Sequence, residues 1–141
     1  MPSIEILSAL ICEDVRQEVT GRAMLIGVAP VGPSLNAETE TIIHRLFFYV
    51  EALAGNVSTI HFRLVSEESG HEPMAATISM DDDELAEESN DPDAPTYGVW
   101  VFGRQGVKFE KAGFYTLQYS VGDDKWHDVR KFVFPARDEK S

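Results

Sequence analysis

Apolar residues fall at every second position in three separate runs of this chain: Ile60, Phe62, Leu64; Tyr97, Val99, Val101; and Tyr115, Leu117, Tyr119, Val121. A period of two puts alternate side chains on opposite faces of an extended strand, whereas a helix needs apolar residues three and four apart. An antiparallel sheet with one face on a core and the other in water produces this pattern. The chain therefore reads as all-β.

Turn-forming residues divide it into about eight strands. In 3–13, Ile4, Ile6, Leu10 and Cys12 share one parity and Leu7, Ala9 and Ile11 the other, so both faces of this strand are expected to be covered. A polar stretch at 14–21 then leads to a second strand at 22–28, and the two read as a hairpin. Pro30, Gly32 and Pro33 break the pattern, and 34–41 reads as a loop to another edge or sheet. In 41–53, Ile42, Ile43, Leu46, Phe47, Val50 and Leu53 also fit helical spacing, and Glu38, Thr39 and Glu40 are placed to open a helix. The β-branched and aromatic content of that stretch favours strand. Further strands are expected at 57–65, at 73–80 as a weak edge, and at 96–103, 113–121 and 125–134. Gly103 to Gly106 reads as a turn, and Gly122, Asp123 and Asp124 as a hairpin turn joining the last two strands.

With 141 residues the chain suits one domain over its whole length, with a core large enough to fold without a disulfide or metal. Its single cysteine, Cys12, has no internal partner, and the first 13 residues lack a basic start and carry Glu5 in their short apolar stretch. These features point to a reducing, cytoplasmic address. No apolar run approaches the roughly 20 residues of a membrane-spanning helix, and no membrane contact is expected.

The net charge is −12, from 24 acids against 12 bases. Eight of the acids, Asp81, Asp82, Asp83, Glu84, Glu87, Glu88, Asp91 and Asp93, lie in one run without a base, so the rest of the chain carries only −4. Nucleic acid is not an expected partner, because the bases are scattered and form no basic groove. The expected acidic loop at 81–95 suggests a calcium site built from Asp81, Asp83, Glu84, Asp91 and Asp93. The spacing is not that of an EF-hand, since the fifth position from Asp81 is Leu85 and from Asp91 is Pro95. A solvated loop of like charge is the simpler reading. The histidines, His44, His61, His71 and His127, show no zinc-ligand spacing. Neither a Gly-x-Ser-x-Gly elbow nor a phosphate-binding glycine loop is present, so a hydrolase would have to rest on an unrecognised site.

Eight strands without a second domain suggest two packed antiparallel sheets. The run Lys111, Ala112, Gly113, Phe114, Tyr115 fits either a tyrosine corner, in which the phenol bonds back to an upstream backbone group at the crossing between sheets, or a plain glycine turn followed by a core tyrosine, since the usual acidic residue is displaced to Glu110 and the inter-sheet disulfide is absent. The expected fold is therefore an antiparallel β-sandwich of immunoglobulin-like type. Cys12 is expected to be buried filler, since a nucleophilic thiol needs a nearby base or positive field.

The run Ile11, Cys12, Glu13, Asp14, Val15, Arg16, Gln17, Glu18, followed by Gly21, Arg22, Leu25, Ile26, Gly27 and Val28, resembles a family of small, functionally uncharacterised bacterial and phage proteins. Their shared features are a Cys-acid-Asp-Val/Ile-Arg turn and a Leu-Ile-Gly-Val strand. The resemblance covers about the first 30 residues and, more loosely, 113–121. It implies a β-sandwich of unknown role and assigns no catalytic residue.

The functional expectation is a non-catalytic protein-binding or assembly module, acting through a protein partner or as a homodimer. Asp14 and Arg16, with Cys12, are candidates for an exposed binding rim; the plainer reading is that Arg16 bridges nearby carboxylates and fixes the first hairpin. Aromatic residues too numerous for one parity add Trp100 and Trp126 as outward contact residues. No cofactor is expected under this reading. The alternatives are a calcium-dependent ligand-binding module and a hydrolase.

Overall fold

The structure, a computed structural model, describes residues 3–17, 23–29, 31–37, 39–79, 96–122 and 124–137. These residues form nine strands: β1 (Ser3–Cys12), β2 (Asp14–Gln17), β3 (Ala23–Ile26), β4 (Thr41–Gly55), β5 (Thr59–Ser66), β6 (Met74–Ser79), β7 (Thr96–Phe109), β8 (Gly113–Ser120) and β9 (His127–Phe134). Seven make two antiparallel sheets, ordered β1-β4-β7 and β6-β5-β8-β9, while β2 and β3 pair as a small ribbon. Among the described residues no helix is long and apolar enough to cross a bilayer.

One shared core joins the two sheets. From the first come Leu46, Phe48 and Val50 of β4 with Trp100 and Phe102 of β7; from the second come Ile60, Phe62 and Leu64, with Leu117 and Phe132. Phe102 bridges the layers, its ring centroid 5.6 Å from Phe48 and 4.5 Å from Phe62. Burying each such side chain contributes about 1.5–3 kcal/mol. The layers are also tied by a polar bond, as Arg130 Nη1 of β9 donates to the Ala9 carbonyl of β1 at 2.7 Å.

The ambiguous 41–53 stretch is strand β4, the centre of its sheet, paired with β1 on one side and β7 on the other. β6 is an edge, as expected. β7 leaves its sheet through Glu110, Lys111 and Ala112 and re-enters the other as β8. Here the Tyr115 hydroxyl donates to the Lys111 carbonyl at 2.6 Å, and the Tyr115 ring packs edge-on against Phe109 and Phe134.

Three expectations need correction. β1 does not form a hairpin along its length with 22–28. It pairs with β4 from Ser3↔Gly55 to Cys12↔Phe47, and only the Ile11↔Ala29 bridge links it to the following strand. The hairpin itself is confined to β2 and β3, because β3 has four residues against the ten of β1. Next, a bulge between Ile6 and Ser8 reverses the parity of β1. Ala9 and Ile11 thus join Ile4 and Ile6 on the core side, and Leu10 and Cys12 move to the other face. Finally, 103–106 is no turn, since β7 continues through it to Phe109. A Cβ at Gly103 would sit 2.2 Å from the Leu46 carbonyl oxygen, so that glycine marks close approach of β4 to β7.

Candidate functional site

Over residues 47–53 of β4 the side chains that do not enter the core are Phe47, Tyr49, Glu51 and Leu53, in alternation with the buried Phe48, Val50 and Ala52. Register places their neighbours on the same face. Tyr49 lies between Leu10 and Val101, Glu51 between Ser8 and Val99, and Leu53 between Glu5 and Tyr97. The outer face of the three-stranded sheet is thus largely apolar. Tyr97 is 53% exposed, Leu7 49%, Val99 39% and Val101 38%, while Leu10, Phe47, Tyr49 and Leu53 are half-buried. Contiguous exposed apolar surface of this kind marks a contact site more often than scattered single residues do.

Charge on this face is held down. The Tyr97 hydroxyl donates to Glu51 Oε2 at 2.8 Å. That bond, followed by partial desolvation and the Glu51 charge, pushes the Tyr97 phenol up to about 12. The residues that build the face were legible only in part. Tyr97, Val99 and Val101 show their alternation plainly, but the sequence does not say which parity enters the core.

A second feature lies where β1 ends and β4 begins. A cleft of about 420 Å³ is lined there by Ile11, Cys12, Glu13, Gly27, Ala29, Val31, Gly32, Pro33, Ile43, His44, Arg45 and Leu46. Cys12 is 1% exposed, and its Sγ faces the Phe47 carbonyl at 3.8 Å. Burial pushes its thiol up, and the Asp14 carboxylate adds to the effect. This is the opposite of nucleophile activation. Cys12 is buried filler as expected, but on the outer side of β1 rather than in the core between the sheets.

Asp14 and Arg16 do come together at this rim, with Arg16 Nε 3.8 Å from Asp14 Oδ2. Their expected roles are reversed. One carboxylate gathers two guanidiniums, because Arg45 Nη1 of β4 also donates to Asp14 Oδ2 at 3.3 Å. The pairing pins the β2 end to β4. Nothing in the sequence singled out Arg45, which lies 31 residues from Asp14 and meets it only through the β1–β4 register.

The two tryptophans separate. Trp100 does not face outward: at 8% exposure it packs in the core with its ring 6.2 Å from Phe62, because it shares the inward parity of Phe102. Trp126 is on the surface at 36%, over the four-stranded sheet, with the Arg63 guanidinium 4.1 Å from its ring centroid. Arg63 Nε donates to Gln118 Oε1 at 2.9 Å, and Gln118 Nε2 to Asp128 Oδ1 at 2.8 Å, so the middle of this outer face is polar and internally bonded, while Phe114, 52% exposed, stands on it with the Lys131 ammonium 5.7 Å from its ring centroid. On the same face His61 Nδ1 lies 3.0 Å from Thr77 Oγ1. The five expected calcium ligands, Asp81, Asp83, Glu84, Asp91 and Asp93, lie outside the described residues. Among the described residues no group of three His, Cys, Asp or Glu side chains is placed to hold a metal ion.

No protein-family model matches the chain, and no curated protein matches it.

Proposed function

We propose that the chain is a non-catalytic assembly module that self-associates through the outer face of its three-stranded sheet. The observation that carries this reading is the contrast between the two outer faces. On the four-stranded sheet, Arg63, Gln118 and Asp128 satisfy one another, and the exposed rings of Trp126 and Phe114 each carry a cation, Arg63 at 4.1 Å and Lys131 at 5.7 Å. On the three-stranded sheet, Leu7, Tyr97, Val99 and Val101 stand exposed around half-buried Leu10, Tyr49 and Leu53. Two such faces related by a two-fold axis form a self-complementary contact between sheets about 10 Å apart. A second copy suits the face because its acids are few and Glu51 is already held by Tyr97.

The fold supports the same reading. The strand orders β1-β4-β7 and β6-β5-β8-β9 fit an immunoglobulin-like sandwich in which β1, β4 and β7 stand as A, B and E, and β8 stands as F. The Tyr115 bond at the β7–β8 crossing is where such a fold carries its tyrosine corner. Sandwiches of this class serve widely as binding scaffolds. The resemblance of residues 11–28 to uncharacterised bacterial and phage proteins is in keeping with a structural rather than a catalytic role. The lone buried Cys12 fits a reducing, cytoplasmic setting.

Sedimentation equilibrium tests the proposal. The wild type should show twice the chain mass at micromolar concentration, and the Tyr97→Lys/Val101→Lys double variant the mass of one chain. Thr77→Lys, on the opposite outer face, should leave the dimer intact. A wild type that stays monomeric to millimolar concentration would overturn the self-association reading.

A further inference from the structure

The cleft at the start of β4 is separate from the proposed contact face and has a different chemistry. Its walls are mainly aliphatic, from Ile11, Val31, Ile43 and Leu46. Its volume of about 420 Å³ falls within the range of roughly 300–1,000 Å³ at which pockets hold small organic ligands. Two glycines shape it. At Gly27, with φ +68°, a Cβ would stand 2.8 Å from Glu13 Cγ, and at Gly32 a Cβ would stand 2.3 Å from the Phe134 ring. The Glu13 side chain therefore lies along the Gly27 backbone on the cleft wall, a placement that a larger residue at 27 would prevent.

The charged groups of the cleft differ in how they are satisfied. Arg45 is held by Asp14 at 3.3 Å, and Asp14 draws a second guanidinium from Arg16. Glu13 has no ion pair or side-chain hydrogen bond among the described residues, although its Oε2 lies within 2.9 Å of where a Gly27 Cβ would be. The open valence of this apolar cleft is thus a carboxylate, on a chain whose net charge of −12 attracts cations and repels anions at long range. An apolar wall beside a free carboxylate complements a molecule with an apolar body and a protonated amine.

We propose that this cleft binds a small amphipathic organic cation, its aliphatic or aromatic body against Ile11, Ile43 and Leu46 and its ammonium on Glu13. Recognition rests on charge-assisted hydrogen bonds from the ammonium to the carboxylate, with burial of the body supplying the remainder. The site is independent of self-association, because its lining residues are not the exposed ones of the contact face.

Hexylamine and hexanoate, equal in length and opposite in charge, test the idea by amide chemical-shift titration of the full chain. Hexylamine should shift resonances of residues 11–13, 27–33 and 43–46 and bind at least about fivefold more tightly than hexanoate. Glu13→Gln, a surface substitution that leaves the fold intact, should abolish that preference, and Val31→Trp, which fills the cleft, should weaken both ligands. Equal binding of the two probes, tighter binding of hexanoate through Arg45, no shifts in these segments, or an unchanged preference in Glu13→Gln would each overturn the proposal. The Tyr97→Lys/Val101→Lys variant should bind hexylamine as the wild type does, so failure of one proposal leaves the other standing.

Discussion

The Tyr115 hydroxyl donates to the carbonyl of Lys111, four residues upstream, at 2.6 Å, and does so from a ring only 1% exposed. The bond fixes the backbone at the point where the chain leaves one sheet for the other. Replacing Tyr115 by Phe keeps the ring contacts with Phe109 and Phe134 but strips the Lys111 carbonyl of its donor. The expected loss is about 1–2 kcal/mol. At roughly 4 °C per kcal/mol for a chain of this size, a thermal melt should show a fall of several degrees.

Tyr97 should titrate late. Its phenol keeps its proton up to about 12 because ionisation would break the bond to Glu51 and set two negative charges side by side. A tyrosine titrates near 10 in an unfolded chain. The folded-state value is the raised one, so the associated stability is fully present below pH 10 and is lost as pH rises toward 12. Burial raises the Tyr49 and Tyr115 phenols as well, so phenolate absorbance at 295 nm, read on dilute protein, should show several late components, of which Glu51→Gln moves that of Tyr97 down towards pH 10.

Gly103 and Gly106 are both in β7, yet alanine should act on them differently. At Gly103 the new Cβ would meet backbone atoms, the Leu46 carbonyl oxygen at 2.2 Å and Phe47 Cα at 2.6 Å, so β4 and β7 must separate. A cost of about 3 kcal/mol or more is expected. At Gly106 nothing stands within 4 Å, and the cost comes only from holding alanine at φ +71°, about 1 kcal/mol. Paired urea melts check the order.

Cys12 should be a poor nucleophile. Its thiol is pushed up first by burial and then by the Asp14 carboxylate, and its reagent access is nearly closed. Native protein should react with Ellman's reagent at least about tenfold more slowly than urea-unfolded protein at pH 8. Equal rates would show that the 27–33 segment opens freely over the cleft.

Much of the architecture was legible because strand alternation survives without knowledge of partners. The runs around Phe62 and Leu117 fell on strands, and the Gly113 to Tyr115 run foreshadowed the Tyr115 bond. What stayed hidden depends on distant registers. A bulge at Leu7 reversed the parity of Cys12, which no local signal announces, and Trp100 lies inward because it shares the parity of Phe102 while Tyr97, Val99 and Val101 take the outer face. Arg45 joined Asp14 through a pairing that only the folded chain makes. The alternation of Tyr97, Val99 and Val101 was plain, but two apolar parities give no way to choose the outer one.

The bond from Arg130 to the Ala9 carbonyl spans 121 residues, and a second closure joins Leu35 to Ala136. A ribosome must therefore deliver residue 130 before the bond that ties β1 to the second sheet can close. Until then β1 is held by its pairing with β4 and by the Ile11↔Ala29 bridge, with no partner from the second sheet. β9 acts as a latch on β1, so the tie between the two sheets is among the late events of folding rather than one of its local beginnings.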